Sequence, residues 1–143
     1  MELTIVGCGY VGQTLARRLQ PRRPQLGLTL TTTRQERRVA LRQLGDDVMV
    51  CDATDPKQLL KSLDNSSTAV FCLGPKGNQQ VDQEGYRHTF VDSFICLRSL
   101  LPQLPQLRQI LYTSSCSVYG DANGNWVDET TPTTPGPGHG SVL

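Results

Sequence analysis

The sequence has few of the features that mark membrane proteins or nucleic-acid-binding proteins. No apolar run reaches the roughly 18 residues that suggest a membrane span, so we predict no transmembrane helix. The chain begins with MELTIVG, without the basic segment and apolar core of a signal peptide, which predicts a cytoplasmic protein. Aromatic residues make up 6% of the chain and do not interleave with basic ones, so we expect no stacking platform for nucleic acid.

The cysteines do not have the arrangement that a metal or redox site needs. No two of the five have the spacing of such a motif, and most fall in apolar runs, where a free thiol packs as a small hydrophobic group. We therefore predict reduced core thiols and no metal site. The cysteines are Cys8, Cys51, Cys72, Cys96 and Cys116.

Positive charge is concentrated at the start of the chain. Residues 1–42 hold eight Arg against two Glu. A nucleic-acid face would account for this, but solvated helix faces account for it better, because most of these arginines fall opposite apolar stripes of predicted helices. We expect this solvated position for Arg17, Arg18, Arg37, Arg38 and Arg42.

Short apolar runs alternate with helical patterns over most of the chain. Strands are predicted at residues 2–6, 26–33, 47–52, 68–74 and 108–115. Helices are predicted at residues 10–19, 35–45, 54–63 and 81–101, the third with Asp55 as N-cap and Pro56 at its first position. This alternation predicts an α/β fold, a doubly wound parallel sheet with helices on both faces.

A glycine loop joins the first predicted strand to the first predicted helix. The stretch IVGCGYVG carries G-x-G-x-x-G as Gly7, Gly9 and Gly12. We expect Gly7 to allow a tight turn, Gly9 to let the backbone approach a pyrophosphate, and Gly12 to let helix and strand pack closely. The amides of Tyr10 and Val11 would face the anion from the helix N-terminus. A plain structural turn, or a flavin or S-adenosylmethionine site on the same fold, are the alternatives.

The end of the second predicted strand indicates which dinucleotide the loop would bind. It reads TTTR, with Thr32 and Arg34 and no carboxylate. A carboxylate there would bind the ribose 2′-hydroxyl of NAD and repel a 2′-phosphate, whereas hydroxyls and a guanidinium would bind that phosphate. We therefore predict NADP in preference to NAD. The alternative is that Arg34 is only a surface charge.

Three further strand ends are candidates for the same cofactor site. Asp52 ends the third strand, where its carboxylate would accept a hydrogen bond from the adenine amine or would serve only as a turn residue. Leu73 and Gly74 end the fourth, where a backbone with little side chain would pass over the cofactor, unless they form an ordinary Gly-Pro turn. Thr113, in the fifth strand, completes the predicted set.

The motifs together resemble a known family. YTSSCSVYGD at residues 112–121, followed by VDETTPTTP at 127–135, resembles an extended short-chain dehydrogenase/reductase of the NAD-dependent epimerase/dehydratase family. The spacing of the glycines is that of atypical members. The resemblance implies a Rossmann-type sheet of order 3-2-1-4-5. It also implies that Ser115 is a catalytic residue that hydrogen-bonds the reacting oxygen of the substrate.

The resemblance also implies a Tyr-x-x-x-Lys pair for proton transfer, which this sequence does not contain. We therefore expect a chain truncated after the fifth strand. It would comprise an NAD(P)-binding domain over residues 1–120 and, over 121–143, a tail where the substrate lobe would begin. In the full-length family the activity would be hydride transfer on a sugar-nucleotide or similar carbonyl substrate, and this chain would be inactive alone. The alternative is a non-catalytic NADP-binding redox sensor.

The fifth strand would lie at an open edge of the sheet. The Pro- and Gly-rich tail can neither extend the sheet nor offer an apolar stripe, so we expect self-association at that edge. His139, in that tail, is expected to be exposed to solvent.

Overall fold

The computed structural model describes residues 1–75 and 82–143. Its centre is a five-stranded parallel sheet of order β3-β2-β1-β4-β5, which confirms the predicted topology. The strands are β1 (Glu2–Val6), β2 (Gly27–Thr32), β3 (Asp47–Val50), β4 (Thr68–Phe71) and β5 (Gln109–Tyr112). Strands β2 to β5 stop one to three residues earlier than predicted.

Helices cover both faces of this sheet. They are α1 (Tyr10–Leu19), α2 (Arg38–Leu41), α3 (Pro56–Leu63), α4 (Gln83–Arg87) and α5 (Ser93–Leu100). Successive residues of a strand point to opposite faces, so Ile5 and Val6 enter different cores. Ile5 shares a buried cluster with Leu41 of α2, whereas Val6 shares one with Leu97 of α5. The doubly wound arrangement predicted from the sequence is thus confirmed.

The helix predicted over residues 35–45 is much shorter in the structure. A 3₁₀ turn, Gln35–Arg37, precedes α2, and the α-helix ends at Leu41. Four residues after the end of α2, Gly45 packs against β2, and a Cβ on Gly45 would lie 2.7 Å from Leu30 Cγ. The helix ends before this close contact. The third helix, α3, agrees with prediction: the Asp55 carboxylate accepts from the amides of the first turn, and Pro56 is the first helical residue.

The long helix predicted over residues 81–101 is interrupted. Residue 81 lies outside the described residues, and from Gln83 onward a π-helical turn, His88–Asp92, separates α4 from α5. The Tyr112 hydroxyl of β5 donates to the Phe90 carbonyl oxygen at 2.9 Å and lies 2.9 Å from the Ser93 hydroxyl. A side chain that takes up a helix carbonyl widens the turn around it.

The segment after residue 120 is irregular but packed against the domain. Thr134 Oγ1 donates to the Tyr119 carbonyl oxygen at 3.0 Å, and Gln83 Nε2 of α4 donates to the Gly138 carbonyl oxygen at 3.0 Å. The His139 ring stacks on Tyr86, with centroids 4.5 Å apart. The expectation of a solvent-exposed His139 was therefore wrong: the residue is half-buried, because α4 supplies an aromatic surface for it.

At the far edge of the sheet, β5 has a neighbour on one side, β4. Ile110 and Leu111 are 38% and 45% exposed. No helix in the described part of the chain is both long and apolar enough to cross a membrane.

Candidate functional site

The carboxyl ends of the five strands surround a cleft of about 560 Å³. In a parallel sheet all strands end at the same edge, and the segments that follow them form one continuous wall. Every predicted cofactor-binding residue except Gly12 lines this cleft. The residues predicted from separate parts of the sequence are therefore brought together by the topology.

The first glycine makes the turn between β1 and α1 possible. Gly7 has φ +84°, and a Cβ there would lie 2.9 Å from both the Cys72 carbonyl oxygen and Leu73 Cδ2. Its amide donates to Thr31 Oγ1 at 2.9 Å, and the Cys8 amide donates to the Thr31 carbonyl oxygen at 2.7 Å. Only glycine satisfies both the backbone conformation and the close approach.

The other two glycines serve different purposes. A Cβ on Gly12 would lie 3.0 Å from the Gly7 carbonyl oxygen and from Ile5 Cγ2, so Gly12 allows α1 to pack on β1. A Cβ on Gly9 would meet no atom within 4 Å. No contact within the described protein requires Gly9 to lack a side chain, so the empty space beside it is available to a ligand.

The N-terminus of α1 faces this space. Gly9 is its N-cap residue and provides no side-chain cap, and no acidic residue lies in the first turn. Tyr10 and Val11, the first two helical residues, line the cleft and are exposed. Amides in the first turn of a helix have no intrahelical acceptors, so this end of the cleft suits an anion such as a pyrophosphate.

Two arginines lie beyond the end of β2. Arg34 is exposed at the cleft, and its amide donates to Thr32 Oγ1 at 3.2 Å. Arg37 also lines the cleft, where its Nη2 donates to the Cys8 carbonyl oxygen of the glycine loop at 3.1 Å. The prediction that Arg37 and Arg38 lie on a solvated helix face was therefore wrong. Both are half-buried, and Arg38 Nε donates to the Val48 carbonyl oxygen at 3.1 Å.

Sequence reasoning missed Arg37 because it assumed an α-helix starting at residue 35. The 3₁₀ turn Gln35–Arg37 changes the direction of the side chain. The R-x-x-R spacing of Arg34 and Arg37 could have indicated that both arginines face the cleft, because residues three apart lie on the same side of a 3₁₀ turn.

Asp52 both lines the cleft and organises a turn. Its Oδ1 accepts from the Thr54 amide at 3.1 Å and from the Thr54 hydroxyl at 2.8 Å, while its own amide donates to Gln58 Oε1 at 3.0 Å. The turn role considered from the sequence is present. Contact with an adenine stays a prediction.

The opposite wall is formed by the ends of β4 and β5. Leu73 and Gly74 line it, and a Cβ on Gly74 would meet no atom within 4 Å. Thr113 lines it as well, with its amide and hydroxyl both donating to the Phe71 carbonyl oxygen. The π-helical turn contributes His88 and Thr89, which sequence reasoning did not identify because it predicted one uninterrupted helix over residues 81–101.

Ser115 is not among the residues that line the cleft. It lies two residues beyond Thr113 and caps a 3₁₀ helix, Cys116–Tyr119, where its Oγ accepts from the Ser117 amide at 3.2 Å. The lining of the cleft therefore does not test the predicted catalytic role of Ser115, which stays a prediction.

Three thiols lie at the base of the cleft. Cys8, Cys51 and Cys72 are buried, as is Cys96, whereas Cys116 is exposed. Burial raises the pKa of the Cys8 and Cys51 thiols to about 11. Because the thiolate is the reactive form, these groups are packing residues and not nucleophiles near neutral pH.

Known proteins are similar to this chain in sequence. Protein YeeZ of Escherichia coli (strain K12) is 34% identical over 153 residues, an alignment that covers 99% of this chain and 50% of that protein. The chain thus spans about half the length of the curated relatives it matches.

Solved structures with lower identity share the fold. A UDP-galactose 4-epimerase superimposes with a TM-score of 0.77 at 17% identity, covering 99% of this chain and 48% of that one. A dTDP-glucose 4,6-dehydratase from Bacillus anthracis, solved in complex with NAD, gives a TM-score of 0.77 at 14% identity, with 99% and 46% covered.

A family description matches nearly the whole chain. The model of the NAD dependent epimerase/dehydratase family aligns with residues 3–140, which include the glycine loop and the YTSSCSVYGD segment. The resemblance inferred from these motifs is confirmed, and the chain belongs to the NAD-dependent epimerase/dehydratase family.

Proposed function

We propose that the cleft binds a nicotinamide dinucleotide, NADP(H) in preference to NAD(H). In this proposal the chain is the cofactor-binding module for hydride transfer on a sugar-nucleotide or similar carbonyl substrate. The observation that carries the proposal is the empty space beside Gly9, at the uncapped N-terminus of α1 and on the wall of a cleft of about 560 Å³. Family membership supports it.

The start of α1 would hold the pyrophosphate. The amides of Tyr10 and Val11 are available to donate to phosphate oxygens, and the positive end of the helix dipole favours their charge. Gly9 keeps this approach open, since any side chain at that position would occupy the space. When bound, the nicotinamide supplies a carbon that accepts or donates hydride.

The arginines beyond β2 would select the 2′-phosphate of NADP. The end of β2, from Thr32 to Arg34, carries hydroxyls and a guanidinium and no carboxylate. Arg37 is fixed by its hydrogen bond to the Cys8 carbonyl oxygen, which leaves its other guanidinium donors for a phosphate. Two guanidinium groups on one side of the cleft favour a doubly charged phosphate over a hydroxyl.

Ser115 would donate to the reacting oxygen of the substrate. Its Oγ accepts from the Ser117 amide, so its own hydrogen is directed elsewhere and is available to a carbonyl oxygen. Proton transfer from a positioned acid is worth about 10²–10⁴-fold in rate. Since this sequence holds no Tyr-x-x-x-Lys pair, we propose that the chain tested alone binds cofactor and catalyses poorly.

A second candidate is a non-catalytic NADP-binding redox sensor, a function that the cleft would also serve. A sensor must distinguish the two redox forms, so it predicts clearly different affinities for NADP⁺ and NADPH. Similar affinities for both forms would argue against a sensor and leave the enzymatic proposal in place.

Isothermal titration calorimetry with NADP⁺ and NAD⁺ tests the cofactor proposal. We expect tighter binding of NADP⁺, and we expect Arg34→Ala to narrow the difference by about 1–3 kcal/mol if the contact is charge-assisted. Arg42→Ala is the matched control, because Arg42 is exposed and is not among the cleft-lining residues. Equal or reversed affinities of the unaltered chain for the two cofactors would refute the preference.

A further inference from the structure

The sequence contains the dipeptide Asn-Gly once, as Asn123-Gly124, a few residues after the 3₁₀ helix that Ser115 caps. The structure places this dipeptide at the tip of a tight turn. The Asn125 amide donates to the Ala122 carbonyl oxygen at 2.9 Å, and the two residues between them have φ +51° and +77°. Positive φ at both central positions defines a type I′ turn, a geometry that favours asparagine followed by glycine.

The reactive groups of this turn are open to water. Asn123 and Gly124 are both exposed, and a Cβ on Gly124 would meet no atom within 4 Å. Within residues 1–75 and 82–143, neither the Gly124 amide nor the side-chain amide of Asn123 makes a hydrogen bond. A bond between the Gly124 nitrogen and Asn123 Cγ would close a five-membered ring, and no contact in the described structure protects either atom.

The turn is closed by hydrogen bonds within its own segment. Asn125 Nδ2 donates to the Ala122 carbonyl oxygen at 2.8 Å, and the Asn123 amide donates to Asp121 Oδ1 at 2.8 Å. These bonds join no other element, so the turn can open while the sheet and its helices stay intact. Opening is required for ring closure, because ψ of Asn123 must leave its value in the turn before Cγ can reach the Gly124 nitrogen.

We propose that Asn123 is a site of spontaneous deamidation, for which Gly124 supplies the nucleophile. The Gly124 backbone nitrogen loses its proton and attacks Asn123 Cγ, the bond from Cγ to Nδ2 breaks, and ammonia leaves. Water then opens the resulting succinimide at one of its two carbonyl carbons. Attack at Cγ gives aspartate, whereas attack at the backbone carbonyl carbon gives isoaspartate, in which the chain runs through Cβ and Cγ.

Two other asparagines in the described part of the chain lack these conditions. Asn65 precedes the buried Ser66, whose amide already donates to a backbone carbonyl oxygen at 2.9 Å. Asn125 precedes Trp126, whose side chain crowds the nitrogen that would attack. Asparagine is a thermolabile residue in general, and exposure, a free following amide and a following glycine coincide at Asn123.

The product differs from the asparagine form in charge and in chain length. A carboxylate replaces a neutral amide, so the formal net charge of +1 falls by one unit. Isoaspartate adds a carbon atom to the main chain at the tip of the turn, so the hydrogen bond that closes the turn is lost or displaced. Neither Asn123 nor Gly124 lines the cleft, and the inference does not depend on the proposed cofactor.

The first test follows the unaltered chain during incubation in water enriched in heavy oxygen. Peptide mass spectrometry measures the mass change from amide to carboxyl and the incorporated oxygen label, which marks deamidation that occurred during the incubation. We expect Asn123 to react at least severalfold faster than Asn65 and Asn125, which serve as internal controls. The rate should increase with pH, because the Gly124 nitrogen attacks after it loses its proton.

Two variants separate the dipeptide from the turn that holds it. Asn123→Gln keeps an amide at this position but would have to close a larger ring, so we expect the modification to disappear. Asn125→Ala removes the side-chain bond that helps to close the turn. It should speed the reaction of Asn123 by about threefold to tenfold, the range of one hydrogen bond. Both substitutions lie on an exposed turn, so the fold should survive them.

The outcomes decide both parts of the inference. The site is wrong if Asn123 of the folded chain stays unmodified while a synthetic peptide of residues 121–127 deamidates under the same conditions. It is also wrong if Asn65 reacts as fast as Asn123. If Asn125→Ala leaves the rate at Asn123 unchanged, the turn does not control the reaction and that part of the inference fails.

Discussion

Replacing Gly9 with valine should abolish dinucleotide binding and leave the fold standing. A Cβ at Gly9 would meet no protein atom within 4 Å. The φ of −80° is open to every residue, whereas the ψ of −147° lies beyond the usual extended region and adds some backbone strain for a side chain. The valine side chain would instead fill the space between the N-terminus of α1 and the cleft. The pyrophosphate and the side chain cannot both occupy it.

The magnitudes follow from these contacts. Each hydrogen bond from an amide to a charged phosphate contributes about 1.5–3 kcal/mol, so the loss of two lowers affinity more than about a hundredfold. Substitutions that disturb no packing usually change stability by about 0.5 kcal/mol. Because the ψ of Gly9 adds backbone strain, we expect Gly9→Val to lower the free energy of unfolding by about 1 kcal/mol, clearly less than Gly7→Ala.

Gly7→Ala is the contrasting variant from the same loop. Gly7 has φ +84°, and its added Cβ would lie 2.9 Å from the Cys72 carbonyl oxygen, an atom of the backbone of the neighbouring segment. A non-glycine residue held in such a conformation costs about 1–3 kcal/mol, and the clash adds to it. Gly7→Ala should thus lose about 2 kcal/mol or more of stability.

Urea unfolding followed by circular dichroism measures the stabilities, and calorimetry with NADP⁺ measures binding. The reasoning is refuted if Gly9→Val binds NADP⁺ as tightly as the unaltered chain. It also fails if Gly9→Val is destabilised as much as Gly7→Ala, because Gly9 would then be required by the fold and not by a ligand.

Three further predictions concern stability and association. Asp55→Ala removes the cap of α3 and should lower the free energy of unfolding by about 1 kcal/mol in urea titrations, without a change in cofactor binding. Because burial raises the pKa of Cys51 to about 11, the folded chain holds that proton more tightly than the unfolded chain, whose thiols titrate near about 8.5. Stability should fall as pH rises from about 8.5 to 11, and Cys51→Ala should reduce the fall, whereas an unchanged slope would contradict the burial argument. The exposed edge strand β5 should make the chain self-associate in light scattering over a concentration series, and Leu111→Lys should weaken this; a monomer at all concentrations would oppose it.

The sequence was most informative where the signal is local. The parallel, doubly wound sheet followed from alternating apolar runs and helical patterns, and its strand order from the resemblance to the family. The Asp55-Pro56 pair predicted the start of α3 correctly because a cap acts within one turn. The glycine loop was located correctly for the same reason: Gly7 must adopt a positive φ in a turn between adjacent elements.

The sequence was least informative where side chains bond to distant backbone. Arg37 reaches the Cys8 carbonyl oxygen, 29 residues away, and Tyr112 reaches Phe90, 22 residues away. Neither contact leaves a periodic pattern. The predictions of a solvated arginine and of an uninterrupted helix were wrong because both rested on local propensity, whereas each segment makes a hydrogen bond to an element distant in the chain.

By itself, the sequence determined the class of fold, the glycine loop and the family, because each shows in patterns of residues close together in the chain, and the resemblance to the family then implied the strand order. Tertiary structure alone decided which side chains share the cleft. In the folded chain Arg37 bonds to the glycine loop, the Tyr112 hydroxyl bonds to the helix turn that carries His88, and the ring of His139 stacks on Tyr86. These outcomes depend on distances between segments that only the folded sheet sets.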